Sequence, residues 1–246
     1  MSGSGLSFDA QATVNPGRFL SALVIEELMR QGLGLVVACP GGRNQPLLGA
    51  LAVRDDLTRV RAVDERAAGH LALGWLRGRL AAGEAPALAA VVTTSGSASL
   101  LVAPALAEAH AAGLPLVLLS ADRPAELHGV GANQTLDQVS PLAAFARWQV
   151  TLPCHAGGAG PHDVLGSTAE AARMALGPPA GPVQLDLAFR EPLAPDPEPL
   201  PADWLPRVAD WAAVASPYAW RRGPAGVPAD AVDRLRAELA AARRPL

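Results

Sequence analysis

Between residues 16 and 187, short apolar runs alternate with segments of helical periodicity. Leu35-Val36-Val37-Ala38, Ala87 to Val92, Leu114 to Leu119 and Val183 to Leu187 have the continuous apolar character of strands buried on both faces. Arg59 to Val63 and Trp148 to Leu152 are two further candidate strands. Helical spacing predicts helices from Pro16 to near Gly32, over Gln45–Val53, Glu65–Leu80, Ser97–Ala111 and Asp163–Leu176, and a short one from Pro141 to Ala146. Asn15 before Pro16 reads as an N-cap followed by proline at the first helical position. This alternation predicts an α/β fold, a parallel sheet with helices on both faces. Ligands of such sheets bind beyond the carboxyl ends of the strands. The loops starting at Cys39, Val63, Thr93 and Ser120 are therefore the places to search for function.

The ends of the chain read differently. Residues 1–14 are small and polar, as in a flexible lead-in, and residues 15–190 hold the α/β pattern. Nine prolines fall between Pro192 and Pro228, which marks 191–228 as a Pro-rich linker, although Trp204, Trp211 and Trp220 suggest that it packs on something. Residues 229–246 read as the start of a second, truncated central domain. The net charge of −3 provides no basic field for nucleic acid. No apolar run approaches the roughly 18 residues of a membrane span. With no export signal and only Cys39 and Cys154, the expected compartment is the cytoplasm, and both cysteines read as small apolar fillers. All 20 basic residues are arginine, so lysine Schiff-base and P-loop chemistry are excluded within this sequence.

Each loop has a structural and a functional reading. Cys39-Pro40-Gly41-Gly42-Arg43-Asn44 is either a tight turn with a solvated Arg43 or a backbone that approaches a ligand closely, with Arg43 clamping a carboxylate or phosphate. Asp64-Glu65-Arg66 is either helix capping or a carboxylate site. Thr93-Thr94-Ser95-Gly96-Ser97 is an N-cap cluster or a cradle for a polar ligand. The run from Ser120 through Gln138, rich in Gly, Asn and Gln, is long enough to expect a role in binding. Its Gly129-Val130-Gly131 lacks the third glycine and the setting of a dinucleotide fingerprint.

Taken in order, CPGGRNQPL (39–47), VDERAAGHLALG (63–74), VVTTSGSA (91–98), SADRPAELHGVGANQTLDQV (120–139) and GPVQLDLAFREPL (181–193) resemble the N-terminal, pyrimidine-binding domain of thiamine-diphosphate-dependent enzymes. Within that group the similarity is greatest to the SEPHCHC (2-succinyl-5-enolpyruvyl-6-hydroxy-3-cyclohexene-1-carboxylate) synthases of menaquinone biosynthesis, over roughly residues 15–193. The resemblance implies a transferase that decarboxylates 2-oxoglutarate on thiamine diphosphate and adds the succinyl carbanion equivalent to isochorismate. It implies that Glu65 is the catalytic carboxyl that hydrogen-bonds N1′ of the aminopyrimidine. It further implies that Pro40, Gly41, Thr94, Ser95 and Gly96 face the cofactor, and that Arg43, Arg123, Asn133 and Gln134 face the dicarboxylate substrates. For Arg123 the competing reading is a salt bridge with Asp122 or Glu126.

Three positions depart from the family pattern: Gly42 stands where a serine is usual, Leu101 where Asn is common, and His128 where Arg is common. Pro-Gly-Gly is also what acetolactate-synthase-like relatives carry, so that activity is one alternative expectation; a truncated, non-catalytic binding module is another. Full members are more than twice as long and place their Mg²⁺ ligands, with a Gly-Asp-Gly motif, in the C-terminal part. No Gly-Asp-Gly occurs here, so no metal ligand is expected in this chain, and the chain alone is expected to be inactive. The resemblance also implies a homo-oligomer, a dimer or tetramer, with active sites between subunits.

Overall fold

The computed structural model describes residues 15–155, 158, 160–218, 236–237 and 240. The expected lead-in, Trp220 and nearly all of 229–246 lie outside the described residues. Six parallel strands form one sheet: β1 (Leu33–Ala38), β2 (Thr58–Arg61), β3 (Leu88–Thr93), β4 (Leu116–Asp122), β5 (Trp148–Leu152) and β6 (Val183–Ala188), in the order β2-β1-β3-β4-β6-β5. The helices are α1 (Pro16–Arg30), α2 (Gln45–Ala52), α3 (Glu65–Ala81), α4 (Ser97–Leu100), α5 (Ala103–Ala112), α6 (Pro161–Leu176) and α7 (Trp204–Ala212). The α/β fold expected from the sequence is the fold observed.

Period-two alternation along the strands divides the core. Val36, Ala90, Val92, Val117, Leu119, Val183 and Leu185 pack under α1, α2 and α6. Leu35, Val37, Ala89, Val91, Leu116 and Leu118 pack under α3 and α5. β2 is an edge strand with all four residues exposed. α1 starts as its sequence dictates: Asn15 Oδ1 accepts from the Arg18 N–H at 2.9 Å, with Pro16 in the first turn.

Several elements differ from expectation for local reasons. The single helix predicted over Ser97–Ala111 is broken into α4 and α5 at Leu101-Val102. Pro104 has no N–H to give the Leu100 carbonyl, so the first helix cannot run through it. The short helix expected at Pro141 is one 3-10 turn, Ser140–Leu142. β4 runs three residues past Leu119, which carries Ser120 and Asp122 into the sheet.

The segment read as linker contains α7, which packs back on the domain. Trp204 and Trp211 are buried, and Trp204 stacks on Phe19 with ring centroids 5.6 Å apart. Trp211 donates its indole N–H to the buried Glu27 at 3.0 Å, and the Arg30 guanidinium lies 3.8 Å over the Trp211 ring. The described packing therefore continues past residue 190 to at least Tyr218, whose backbone N–H also reaches Glu27, at 3.0 Å.

Candidate functional site

β1 is flanked by β2 and β3, and the chain reverses direction across the sheet between β1 and β3. In open α/β sheets the crevice that takes a ligand lies at such a switch point, beyond the carboxyl ends of the strands. The loops after β1 and β3 meet there. A Cβ on Gly41 would lie 2.4 Å from the Thr94 Cβ, so only glycine permits this approach. Cys39, just past the end of β1, is buried, and burial together with the carboxylates of Glu65 and Asp64 pushes its thiol up to about 12. It stays a thiol, in keeping with a filler. Asn44 is buried behind it and donates to the Cys39 carbonyl at 2.8 Å.

Glu65 is the first residue of α3, at the edge of this crevice. Capping falls to its neighbour: Asp64 accepts from the Arg66 and Ala67 N–H groups and pairs with the Arg66 guanidinium. Those bonds hold the Asp64 carboxyl well below the usual carboxylate range. Glu65 is half-buried, and among the described residues no hydrogen bond or ion pair engages its carboxylate. Among the described residues, two buried polar atoms nearby also lack partners, the Thr93 hydroxyl at the end of β3 and Oδ1 of Asn44.

A second group forms around the start of α4. Arg123 donates from Nη1 to the Ser95 hydroxyl and to the Gln134 carbonyl, the latter at 2.6 Å. Gln134, itself left-handed with φ 55°, donates from Nε2 to the Ser95 carbonyl at 2.8 Å and packs against Gly96. Ser95, Gly96, Arg123 and Gln134 are thus one cluster, while Asn133 lies beside it, exposed. Arg123 makes neither of the salt bridges weighed for it, since Glu126 pairs with Arg190 and Asp122 accepts from the Arg123 backbone N–H. Arg43 goes elsewhere. Its guanidinium is mostly buried, donates to the Phe189 carbonyl at 2.8 Å and faces Glu191 at 3.2 Å. Pro40 is exposed in the loop after β1.

Sequence reasoning missed the polar cluster between β4 and β6. On the face that carries the α3 and α5 core, these strands present Ser120, Asp122, Gln184 and Asp186. The long loop after β4 covers them with Gln138. Asp186 Oδ1 accepts from Ser120 at 2.7 Å and from Gln138 at 2.5 Å; Gln184 donates to Ser120 at 2.9 Å. Burial, together with the adjacent Asp122 carboxyl, pushes Asp186 up to about 7. Asp122 is raised as well, chiefly by burial, and meets His128 Nε2 at 3.2 Å. A cleft of about 500 Å³ opens over this cluster, lined by Asp122, His128, Gln138, Cys154, Asp186 and Arg190 among others. The signal was present in Val183-Gln184-Leu185-Asp186-Leu187, which alternates polar and apolar residues and so cannot have two apolar faces.

The crevice suits the aminopyrimidine end of thiamine diphosphate: it has an unengaged carboxylate, buried polar atoms without protein partners, and a glycine that brings two loops together. For the diphosphate end nothing comparable is found, since among the described residues no group of three or more His, Cys, Asp or Glu could hold a metal ion. Fold and site define an α/β domain of the ligand-binding kind, with its candidate site at the carboxyl edge of the sheet. Residues 19–140 match the family described as thiamine pyrophosphate enzyme, N-terminal TPP binding domain, and the chain belongs to that family.

Its curated relatives include proteins named 2-succinyl-5-enolpyruvyl-6-hydroxy-3-cyclohexene-1-carboxylate synthase. The Chlorobaculum parvum protein is 40% identical over 225 residues, which cover 91% of this chain and 38% of the relative. Those of Salinibacter ruber (42% identical; 74% of this chain, 30% of the relative) and Mycobacterium avium (42%; 75% and 35%) are similar. The chain thus spans between a quarter and two-fifths of the length of these relatives. Among the described residues no helix is long and apolar enough to cross a membrane.

Proposed function

We propose that this chain forms the pyrimidine-binding wall of a SEPHCHC synthase, acting on 2-oxoglutarate and isochorismate. The observation that carries the reading is Glu65: a carboxylate without a partner among the described residues, at the start of α3 beside the β1–β3 switch point, in a chain of the thiamine pyrophosphate enzyme family. When bound, thiamine diphosphate supplies a thiazolium carbon able to take up the acyl group of a 2-oxoacid. Glu65 holds or shares a proton at N1′ of the aminopyrimidine, which only an unengaged carboxyl can do. Asp64 takes over the capping of α3 and leaves Glu65 free for this. Pro40, Gly41, Thr94, Ser95 and Gly96 shape the wall, and Arg123, Gln134, Asn133 and Arg43 supply donors for two dicarboxylates.

Mg²⁺ and the diphosphate are proposed to be held by the remaining length that the relatives possess, in a cytoplasmic homodimer or homotetramer, and turnover requires that length. The test is substrate consumption by the protein that joins this chain to that length, supplied with thiamine diphosphate and Mg²⁺. Joint consumption of 2-oxoglutarate and isochorismate is expected. Consumption of pyruvate alone would favour the acetolactate-synthase-like alternative, which the Pro40-Gly41-Gly42 turn keeps in view. A Cβ on Gly42 would meet nothing within 4 Å, so the family's serine hydroxyl is missing from open space. Inactivity of the joined protein on every 2-oxoacid would favour the binding module.

A further inference from the structure

Gly96 opens the turn into α4 with φ 80° and ψ −144°, a conformation essentially confined to glycine. Its buried N–H has no backbone acceptor. Instead it donates, at 2.8 Å, to Oε1 of Gln138, a residue 42 positions away and 1% exposed. The Gln138 carboxamide has only one workable orientation. Its Nε2 donates to the Ala121 carbonyl at 3.0 Å and to Asp186 Oδ1 at 2.5 Å, both acceptors, so its oxygen must face Gly96. Every polar atom of this side chain is thereby engaged across three elements: the β3–α4 turn, β4 and β6.

We propose that Gln138 is a positioning residue that sets the Thr93–Ser97 turn through the Gly96 N–H, and through it the hydroxyl and backbone groups that the turn offers a ligand. The proposal deepens the cofactor reading and rests on it for the identity of that ligand. Gln138 is set back from the crevice and acts through Gly96. Its removal leaves a buried N–H without a partner, on a glycine that has no side chain to hold its conformation. Glutamic acid at the same position separates this role from packing. Protonated, it offers a carbonyl to Gly96 and an O–H to Asp186. Ionised, it opposes the Ala121 carbonyl and Asp186 with an acceptor. The groups around it are Asp122, Arg123, Glu126, His128, Asp137, Cys154 and Arg190, which share the cleft with Asp186. Burial and Asp122 already hold a proton on the carboxyl pair, so a further negative charge there is disfavoured.

The test is amide hydrogen exchange by NMR on the 246-residue chain and its Gln138→Met and Gln138→Glu variants, at pH 5 and pH 8, each also titrated with thiamine diphosphate. Gln138→Met is expected to lower the protection factor of the Gly96 amide by roughly ten- to a hundredfold at both pH values, with the β3 and β4 amides little changed. Gln138→Glu is expected to resemble wild type at pH 5 and the Met variant at pH 8. Thiamine diphosphate is expected to shift the Gly96 and Ser97 resonances of wild type at concentrations that leave the Met variant unmoved. Unchanged Gly96 protection, a uniform loss across the sheet in both variants at both pH values, or equal shifts in wild type and Gln138→Met would each overturn the proposal. A wild-type chain that shows no shift would instead count against the cofactor reading, while the exchange data still decide the role of Gln138.

Discussion

The two halves of the sheet's carboxyl edge treat polar groups in opposite ways. Around β1 and β3, the Glu65 carboxylate, the Thr93 hydroxyl and Asn44 Oδ1 have no protein partner among the described residues. Around β4 and β6, Ser120, Gln138, Gln184 and Asp186 engage one another almost completely. Leaving a buried polar group unpaired is costly, so a fold tolerates it where a ligand completes the set. On the proposed reading, the bound cofactor completes the first half. The second is a polar core that holds the loop after β4 against the sheet, on the face that also carries α3 and α5. Cys39 does not compete as an acid there: burial and the carboxylates of Glu65 and Asp64 push its thiol up to about 12, which leaves Glu65 as the unengaged acid of that region among the described residues.

The largest expected effect tests the open half. In the protein that carries this chain with the remaining length of its relatives, Glu65→Gln is expected to cut turnover by roughly a hundred- to ten-thousandfold. Its melting temperature should stay close to wild type, because Asp64 does the capping. Steady-state rates and a thermal melt check both, and a variant with normal turnover would erase the contrast between the two halves.

The closed half is tested by pH. Asp186 is raised in the folded chain to about 7 from an ordinary value of 3.8, so the folded state holds an extra proton between those limits. Its contribution is present at the acid end of that window and is lost as pH rises through about 7. In Asp186→Asn, Oδ1 still accepts from Ser120 and Gln138, and the new NH₂ faces Asp122. Relative to this variant, wild type is expected to lose about 2–3 kcal/mol between pH 5 and pH 8, measured by urea denaturation. Parallel pH dependence in the two proteins would show that the pair shares no proton.

Two smaller effects concern the packing of the open half and its tie to the other. Gly41→Ala forces a Cβ onto Thr94 and is expected to destabilise the chain by about 1–3 kcal/mol. Thr94→Gly in the same chain should recover most of it, because it deletes the opposing Cβ. Arg43→Ala is expected to cost about 1 kcal/mol, since its guanidinium holds the Phe189 carbonyl and an exposed Glu191. In kinetic assays it should raise KM for a dicarboxylate less than Arg123→Ala does. The reverse order would return Arg43 to the substrate.

Much of this molecule is legible along the chain. The apolar runs and helical periods locate five of the six strands to within two residues at either end, and Asn15-Pro16 starts α1 as written. These are local properties, set by side-chain period, capping and the missing N–H of proline. Pro104 was equally legible, yet the helical period around it concealed the break between α4 and α5. The loops at Cys39, Asp64 and Thr93 could be found as strand ends, and the family resemblance singled out Glu65 among three adjacent charges. That Asp64 caps α3 and leaves Glu65 unengaged is a matter of side-chain geometry. What only the tertiary structure decided is strand order. Inserting β6 between β4 and β5 sets Ser120 beside Asp186 and Asp122 beside Ala188, residues 66 positions apart in each pair. Periodicity states which face a residue takes within its own strand, but not which strand lies next to it. Order depends on how the helices and the loop after β4 cover the two faces, and so the Gln138–Asp186 contact and the hold on Gly96 exist only once the sheet has closed in that order.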